Sequence, residues 1–150
     1  METGTQTDYE TKCDQLCLQA KKLGQSDTQS VGLNKDTSNL FRSQAKKSFK
    51  LDVSSLNGII DVNVAHGYAD IEAMATYEDI VSALLPFGMM PTVVPELKTI
   101  TVGGALAGIG IESSSFRYGL VHETVLEFDV LLSNGSLITC SPNNQHADLF

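Results

Sequence analysis

The chain is 150 residues long, with 42% hydrophobic and 19% charged residues, which is the size and composition of one globular domain. Its formal net charge of -8 disfavours binding to nucleic acid or to an anionic membrane surface, because both depend on clustered Lys and Arg. No apolar run approaches the ~18 residues that span a bilayer, and no apolar signal segment follows Met1. We therefore expect a cytoplasmic protein without a transmembrane segment and without a nucleic-acid partner.

The first 30 residues predict an N-terminal helix followed by a linker. Residues 8–23 place apolar side chains on one side of an amphipathic helix that Gly24 stops, and residues 25–30 are polar. We expect residues 31–150 to form the main domain.

Short strands are predicted next along the chain. They cover residues 31–33, 51–53, 59–64 and 68–72, with Asn57-Gly58 as a turn between the second and third. A loop at residues 34–42 and a basic, polar connection at residues 44–50 separate the first two strands.

A capped helix and a hairpin complete the predicted elements. Thr76 is a good N-cap with Asp79 at the capping-box position, and an apolar stripe from Ile80 to Leu85 ends at Pro86 and Gly88. Strands are predicted at residues 90–94 and 100–105, and a hairpin joins residues 124–132 to 137–140 through the turn at 133–135. These patterns together predict an α+β fold.

The three cysteines, Cys13, Cys17 and Cys140, form no CxxC pair. A zinc site would need further ligands close in space, and the three His are isolated in sequence. Reduced, partly buried thiols are the better interpretation, and we expect no metal site.

The most informative segment is glycine-rich and runs from Thr101 to Ser115. Four glycines within residues 101–110 allow the backbone to approach a ligand, and hydroxyls and main-chain N–H groups follow the last of them. Such a segment can hold a phosphate through its N–H groups. A glycine-rich turn that binds nothing is an equal alternative.

Several other functions lack their motifs. No Lys follows these glycines as a P-loop requires, and Ser113 replaces the third glycine of a dinucleotide-binding fingerprint. No Ser/His/Asp arrangement, HExxH motif or convincing carboxylate pair supports a hydrolase.

The glycine-rich segment and its flanks resemble the p-cresol methylhydroxylase/vanillyl-alcohol-oxidase type of FAD-binding domain. The resemblance rests on Pro95-Glu96-Leu97, Ile100 to Gly104, Gly110 to Ser115 and Tyr118-Gly119-Leu120. It is strongest to the 24-dehydrocholesterol reductase branch and covers roughly residues 31–150. It implies an α+β domain with two small β-subdomains, surrounding helices and FAD between them.

The resemblance also implies which residues contact FAD. Residues 35–40 correspond to a pyrophosphate loop, although many relatives have glycines there and this chain does not; residues 35–42 alone predict only a turn. The implied cofactor-binding residues are Lys35, Thr37, Ser38, Asn39, Pro95, Leu97, Thr101, Val102, Gly103, Gly104, Ala105, Leu106, Ala107, Gly108, Ile109, Gly110, Ile111, Glu112, Ser113, Ser114, Tyr118 and Gly119.

Three side chains bear on the flavin itself. Ile111 occupies the position where many relatives carry a His joined covalently to the flavin, so FAD is expected to be non-covalent. Glu112 is either a buried acid near the flavin or a solvated turn residue. Arg117 or His122 could balance charge at the flavin N1–C2 carbonyl, or either could be a surface residue. No catalytic residue is identified.

The resemblance implies the FAD-binding portion of a flavin-dependent oxidoreductase that transfers hydride through flavin N5. Reduction of a C=C bond with NADPH and oxidation of an alcohol-type small molecule are both open. The alternatives are a flavin-binding fragment without turnover and a non-catalytic glycine-rich module. Ala147 to Phe150 resembles the point where relatives continue, so the FAD-binding domain is expected to be C-terminally incomplete and a substrate domain to belong to a longer chain.

Overall fold

A computed structural model describes residues 5–23, 30–35, 47 and 49–150. In this part of the chain the helices are α1 (Gln6–Leu23), α2 (Tyr77–Leu84), α3 (Val102–Ala107) and α4 (Ser115–Tyr118). The strands are β1 (Val31–Asn34), β2 (Phe49–Asp52), β3 (Ile59–Asn63), β4 (Tyr68–Ile71), β5 (Phe128–Leu131) and β6 (Leu137–Cys140). They pair in sequence order into three two-stranded sheets. The predicted α+β fold class is confirmed.

The predicted N-terminal helix is confirmed as α1, which lies against the rest of the chain. Its buried residue Leu16 packs with Leu56 and Met74. Gly135, in the turn between β5 and β6, has a φ of 79° and lies so close to α1 that a Cβ would contact Lys21. The sharp turn and this close approach both require glycine. The predicted stop at Gly24 and linker residues 25–29 lie outside the described residues.

The predicted turn at Asn57-Gly58 does not join two paired strands. β2 instead pairs in parallel with β1, from Val31 opposite Phe49 to Asn34 opposite Asp52. The chain turns after β2, where the Asp52 carboxylate accepts from the Ser54 N–H at 3.1 Å and from its hydroxyl at 2.6 Å. The prediction was wrong because β2 pairs with a strand that precedes it in the chain. The residues between β1 and β2 lie mostly outside the described part.

The predicted strands β3 and β4 and the helix that follows them are confirmed, and the two strands pair antiparallel as a hairpin. The Thr76 hydroxyl accepts from the Asp79 N–H at 3.2 Å and donates to the Asp79 carboxylate at 2.6 Å. This cap starts α2, which ends at Leu84 before a 3-10 turn. Ile80 and Leu84 are buried against the hairpin with Ile59 and Ala75.

Two of the predicted strands are wrong. Residues 90–94 are irregular, and residues 102–107 form α3 rather than a strand. Thr101 caps this helix because its hydroxyl accepts from the Gly104 N–H at 3.2 Å, and the Ala and Leu residues that follow favour a helix once it has started. The final hairpin is confirmed with Phe128 opposite Cys140, although β5 starts later than predicted: a 3-10 turn ends at residue 124, and residues 125–127 are irregular.

Candidate functional site

The first turn of α3 directs its N–H groups into the protein. The N–H groups of Val102 and Gly103 donate to the carbonyls of Ala75 at 3.0 Å and Ala73 at 2.8 Å. The Gly104 N–H is taken by Thr101. These three amides are already bonded, so residues 102–104 offer no free N–H group; the sequence led us to expect the available N–H groups after Gly110 instead.

The end of α3 places an unusual residue in left-handed conformation. The Gly110 N–H donates to the Ala105 carbonyl at 2.8 Å and the Ile109 N–H to the Leu106 carbonyl at 3.3 Å, which is the double hydrogen bond of a Schellman motif. Glycine usually holds the left-handed position of this motif, but here Ile109 does, with a φ of 54°. A β-branched residue is strained in this conformation, so the backbone strain lies between the glycines and not at them.

The segment after Gly110 retains free hydrogen-bond donors. In the described structure, no acceptor receives the N–H groups of Ile111, Ser113 and Ser114. The Ser114 hydroxyl donates to the Thr92 carbonyl at 3.0 Å, and the Ser115 hydroxyl accepts from the N–H of the half-buried Glu112 at 3.0 Å. The available donors are therefore in residues 111–114, after the glycines.

Large apolar side chains are exposed along the same stretch. Ile109 is 59% exposed, Ile111 70% and Phe116 91%. We call these three side chains and the exposed Tyr118 the motif surface. Arg117 supplies a cation here, with its guanidinium carbon 5.4 Å from the centre of the Tyr118 ring, and His122 is exposed to solvent.

A small core beneath the motif surface brings the predicted segments together. Tyr77, Val93, Ala105 and Val121 are its buried members, and the Val121 N–H donates to the Gly110 carbonyl at 3.0 Å. Pro95 is buried close to Val93 in the chain, whereas Leu97 is exposed. The segments around residues 95, 101–110 and 118–121 are therefore joined by shared packing.

The other predicted loop cannot be placed beside this one. Thr37, Ser38 and Asn39 lie outside the described residues, and Lys35 directly follows β1. The part played by residues 35–39 in holding a cofactor stays a prediction.

Tyr77 is a candidate that the sequence did not reveal. It is only 4% exposed, and its hydroxyl makes no hydrogen bond with any residue that the structure describes. Burial, together with the charge of Glu112, raises the pKa of Tyr77 above its ordinary value. Sequence patterns miss such a residue because a Tyr at the start of an apolar helical stripe is read as a packing residue. A buried hydroxyl without a partner is costly, which makes it a candidate donor to a ligand.

Three further observations concern a cavity, metal ligands and membrane-spanning helices. A cavity of about 540 Å³ is lined by Leu137, Ile138, Thr139, Asn144, Gln145 and His146, so it lies at the last hairpin and away from the motif surface. Within residues 5–23, 30–35, 47 and 49–150, no group of three or more His, Cys, Asp or Glu side chains could hold a metal ion. None of the helices described here is both long enough and apolar enough to cross a membrane.

Comparison with known proteins identifies the family. A family model described as "FAD binding domain" matches residues 25–141. Delta(24)-sterol reductase from Pisum sativum is 36% identical over 104 residues, which is 69% of this chain and 18% of that protein. Cytokinin dehydrogenase 10 from Oryza sativa subsp. japonica is 37% identical over 91 residues, 61% of this chain and 16% of that protein.

The fold agrees with this match. The solved structure of 6-hydroxy-D-nicotine oxidase from Arthrobacter nicotinovorans superposes with a TM-score of 0.72 at 18% identity, covering 89% of this chain and 29% of that one. The chain thus spans less than a third of each of these proteins. Because the family model matches most of the chain and the fold is that of a p-cresol methylhydroxylase-type FAD-binding domain, this protein belongs to the FAD binding domain family.

Proposed function

We propose that this chain is the FAD-binding portion of a flavin-dependent oxidoreductase and that it holds FAD without a covalent bond. The observation that carries the proposal is the segment of residues 109–114. It lies within the family match and combines exposed apolar side chains with unbonded N–H groups. Apolar side chains suit a planar aromatic ring system, and N–H groups suit phosphate or carbonyl oxygens.

The described residues fit such a cofactor by their chemistry. Ile109 and Ile111 offer apolar contact, Ser113 and Ser114 offer main-chain donors, and Tyr77 offers a buried hydroxyl that has no other partner among the described residues. An Ile side chain has no nucleophile, so no covalent link can form at Ile111. Arg117 is the cation of this stretch and could balance negative charge on the ring.

FAD, when bound, supplies hydride chemistry at its N5 atom. The part of this chain would be to bind the cofactor, orient it and shield one side of it from water. The similarity to Delta(24)-sterol reductase supports reduction of a C=C bond in a small molecule, with NADPH as a candidate donor. Oxidation of an alcohol-type substrate is the other candidate reaction. We also propose a cytoplasmic location.

A second candidate function is flavin binding without turnover. It is favoured by the exposure of the motif surface, where Ile111 is 70% exposed and Phe116 91%. Hydride transfer needs donor and acceptor held about 3–3.5 Å apart with water excluded. The motif surface is open, and the cavity lies elsewhere.

The test is a titration of the purified chain with FAD, followed by quenching of flavin fluorescence. We expect saturable binding and complete release of flavin into the supernatant on acid precipitation. Tyr77→Phe should weaken binding without loss of stability, whereas the control Tyr68→Phe should not, because the Tyr68 hydroxyl already accepts from Asn63 at 3.2 Å. No binding by the wild-type chain would refute the proposal, and flavin retained in the pellet would refute its non-covalent part.

Turnover separates the two candidates. Anaerobic bleaching of the flavin band by NADPH, or by an alcohol or sterol, would support the oxidoreductase for the chain alone. Binding without bleaching would support the second candidate for these 150 residues.

A further inference from the structure

Glu72 is the only carboxylate among the described residues that is almost completely buried, at 1% exposure. It follows β4 and accepts from the Lys12 amine at 2.9 and 3.1 Å and from the Gly58 N–H at 2.6 Å. Lys12 also pairs with the exposed Asp8 at 2.7 Å. An ion pair in such a place links α1 firmly to the end of β4, because neither partner can leave without exposing an unpaired charge to the interior.

Helix α3 begins against the turn at residues 72–75, and its first N–H groups bond to carbonyls of this turn. The Ala75 N–H donates to the Glu72 carbonyl at 2.9 Å, which closes the turn. The carbonyls of Ala73 and Ala75 then accept the N–H groups of Gly103 and Val102. A Cβ on Gly103 would lie 2.8 Å from the Ala73 carbonyl oxygen, so a small shift of this turn must move the start of α3.

Lys12 stays charged at neutral pH. Burial lowers the pKa of Lys12, but the hydrogen bonds to Asp8 and Glu72 outweigh burial, and the pKa lies above its ordinary value. The helix that carries Lys12 lies outside the residues matched by the family model, which begin at residue 25. An element outside the matched domain therefore contacts the turn on which the cofactor segment rests.

We propose that Lys12 and Glu72 are positioning residues for the cofactor segment, and that α1 sets the place of residues 101–115 through the turn at residues 72–75. The expected effect on FAD affinity rests on the proposed function. The chain of contacts runs from the Lys12 amine to the Glu72 carboxylate, through the turn to Val102 and Gly103, and along α3 to Ile109. Neither residue is required to touch the cofactor.

The experiment compares Lys12→Met with Tyr9→Phe in the full chain. Both variants remove a polar anchor of α1, but the Tyr9 hydroxyl donates to Asp129 at 2.6 Å, in the hairpin of β5 and β6. Under conditions where both variants are folded, Lys12→Met should accelerate amide hydrogen exchange at Val102 and Gly103 and weaken FAD binding about tenfold or more. Tyr9→Phe should leave both measurements close to wild type.

Glu72→Gln is the second variant, in case Lys12→Met does not fold. It keeps the side-chain shape and the acceptor for Gly58 and should change the same two measurements in the same direction. Unchanged exchange at Val102 and Gly103 in the folded variants, or an equal change in Tyr9→Phe, would overturn the proposal, as would faster exchange with unchanged FAD affinity. If the wild-type chain binds no FAD, the proposed function fails, and the exchange result still decides whether Lys12 positions α3.

Discussion

The start of the glycine-rich helix α3 and the segment that follows this helix differ in how their polar groups are satisfied. On the side of the 72–75 turn, the N–H groups of Val102 and Gly103 are bonded and the buried Glu72 carboxylate is paired with Lys12. On the motif surface, N–H groups are unbonded in the described structure and Ile111 is 70% exposed. The first side therefore holds the structure together, while the second has the free groups that binding requires. Substitutions on the two sides should separate stability from FAD binding.

The largest expected effect is a loss of stability on the side of the 72–75 turn. Lys12→Met leaves the Glu72 carboxylate buried without its cation, which should lower the free energy of unfolding by about 3 kcal/mol. The control is Lys98→Met, since both side chains of the 2.6 Å ion pair between Lys98 and Glu78 are exposed. That substitution should cost less than about 1 kcal/mol. Urea denaturation measures both, and equal losses would show that burial of the pair is unimportant.

Adjacent glycines provide the next test. Gly103→Ala places a methyl group against the Ala73 carbonyl, whereas a methyl group on the exposed Gly104 would contact only the Thr101 hydroxyl, at 2.9 Å. Both changes gain about 1 kcal/mol of helix propensity, but the backbone contact should turn this into a net loss of about 2 kcal/mol for Gly103→Ala.

Gly104→Ala should stay within about 0.5 kcal/mol of wild type, because its gain in helix propensity offsets the disturbed cap. Thermal unfolding of the two variants side by side measures the difference. A tolerated Gly103→Ala would contradict the close packing of α3 on the turn.

On the motif surface, stability and binding should change in opposite directions. Ile109→Gly removes left-handed strain at a φ of 54° and should stabilise the chain by about 0.5–1 kcal/mol after the entropy cost of glycine. It also removes an exposed apolar contact, so FAD affinity should fall. Ile111→Gly, at a residue without positive φ, should lower affinity with no gain in stability. A destabilised Ile109→Gly would show that the left-handed conformation is not strained.

The smallest effect concerns β3 and β4, away from both sides. Burial, together with the Asp61 carboxylate directly opposite, raises the pKa of Asp70. The folded chain holds this proton more tightly than the unfolded chain, so stability falls as the pH rises from about 4 through the raised pKa, and the loss persists at neutral pH.

Asp70→Asn should therefore stabilise the chain at pH 7, by about 0.3 kcal/mol because the side chain is largely solvated. The gain should vanish near pH 3, where the wild-type carboxyl is protonated. Asp61→Asn removes only the second cause of the raised Asp70 pKa and leaves burial, so its gain should be smaller. Denaturation at the two pH values measures this, and a gain that persists in acid would point to another cause.

Local patterns in the sequence predicted the elements whose hydrogen bonds close within a few residues. The Thr76 cap, the helix α1 and the hairpin turn at residues 133–135 were all predicted and are confirmed. The same reasoning predicted a strand at residues 100–105 because it did not weigh Thr101 as a helix cap. It also joined β2 to β3, since a parallel pairing with β1 leaves no turn signal in the sequence.

The features of the candidate site can be separated in the same way, into those that residue type and order determine and those that depend on packing. The sequence by itself determined that a glycine-rich segment at residues 101–115 is the candidate cofactor segment and that Ile111 cannot bond covalently to a flavin, because these depend on residue type and order alone. Only the tertiary structure decided which N–H groups stay free, that Ile109 carries the backbone strain, and that Tyr77 and the Lys12–Glu72 pair lie near this segment. Burial and hydrogen-bond partners come from residues distant in the chain, whose approach depends on packing of the whole domain.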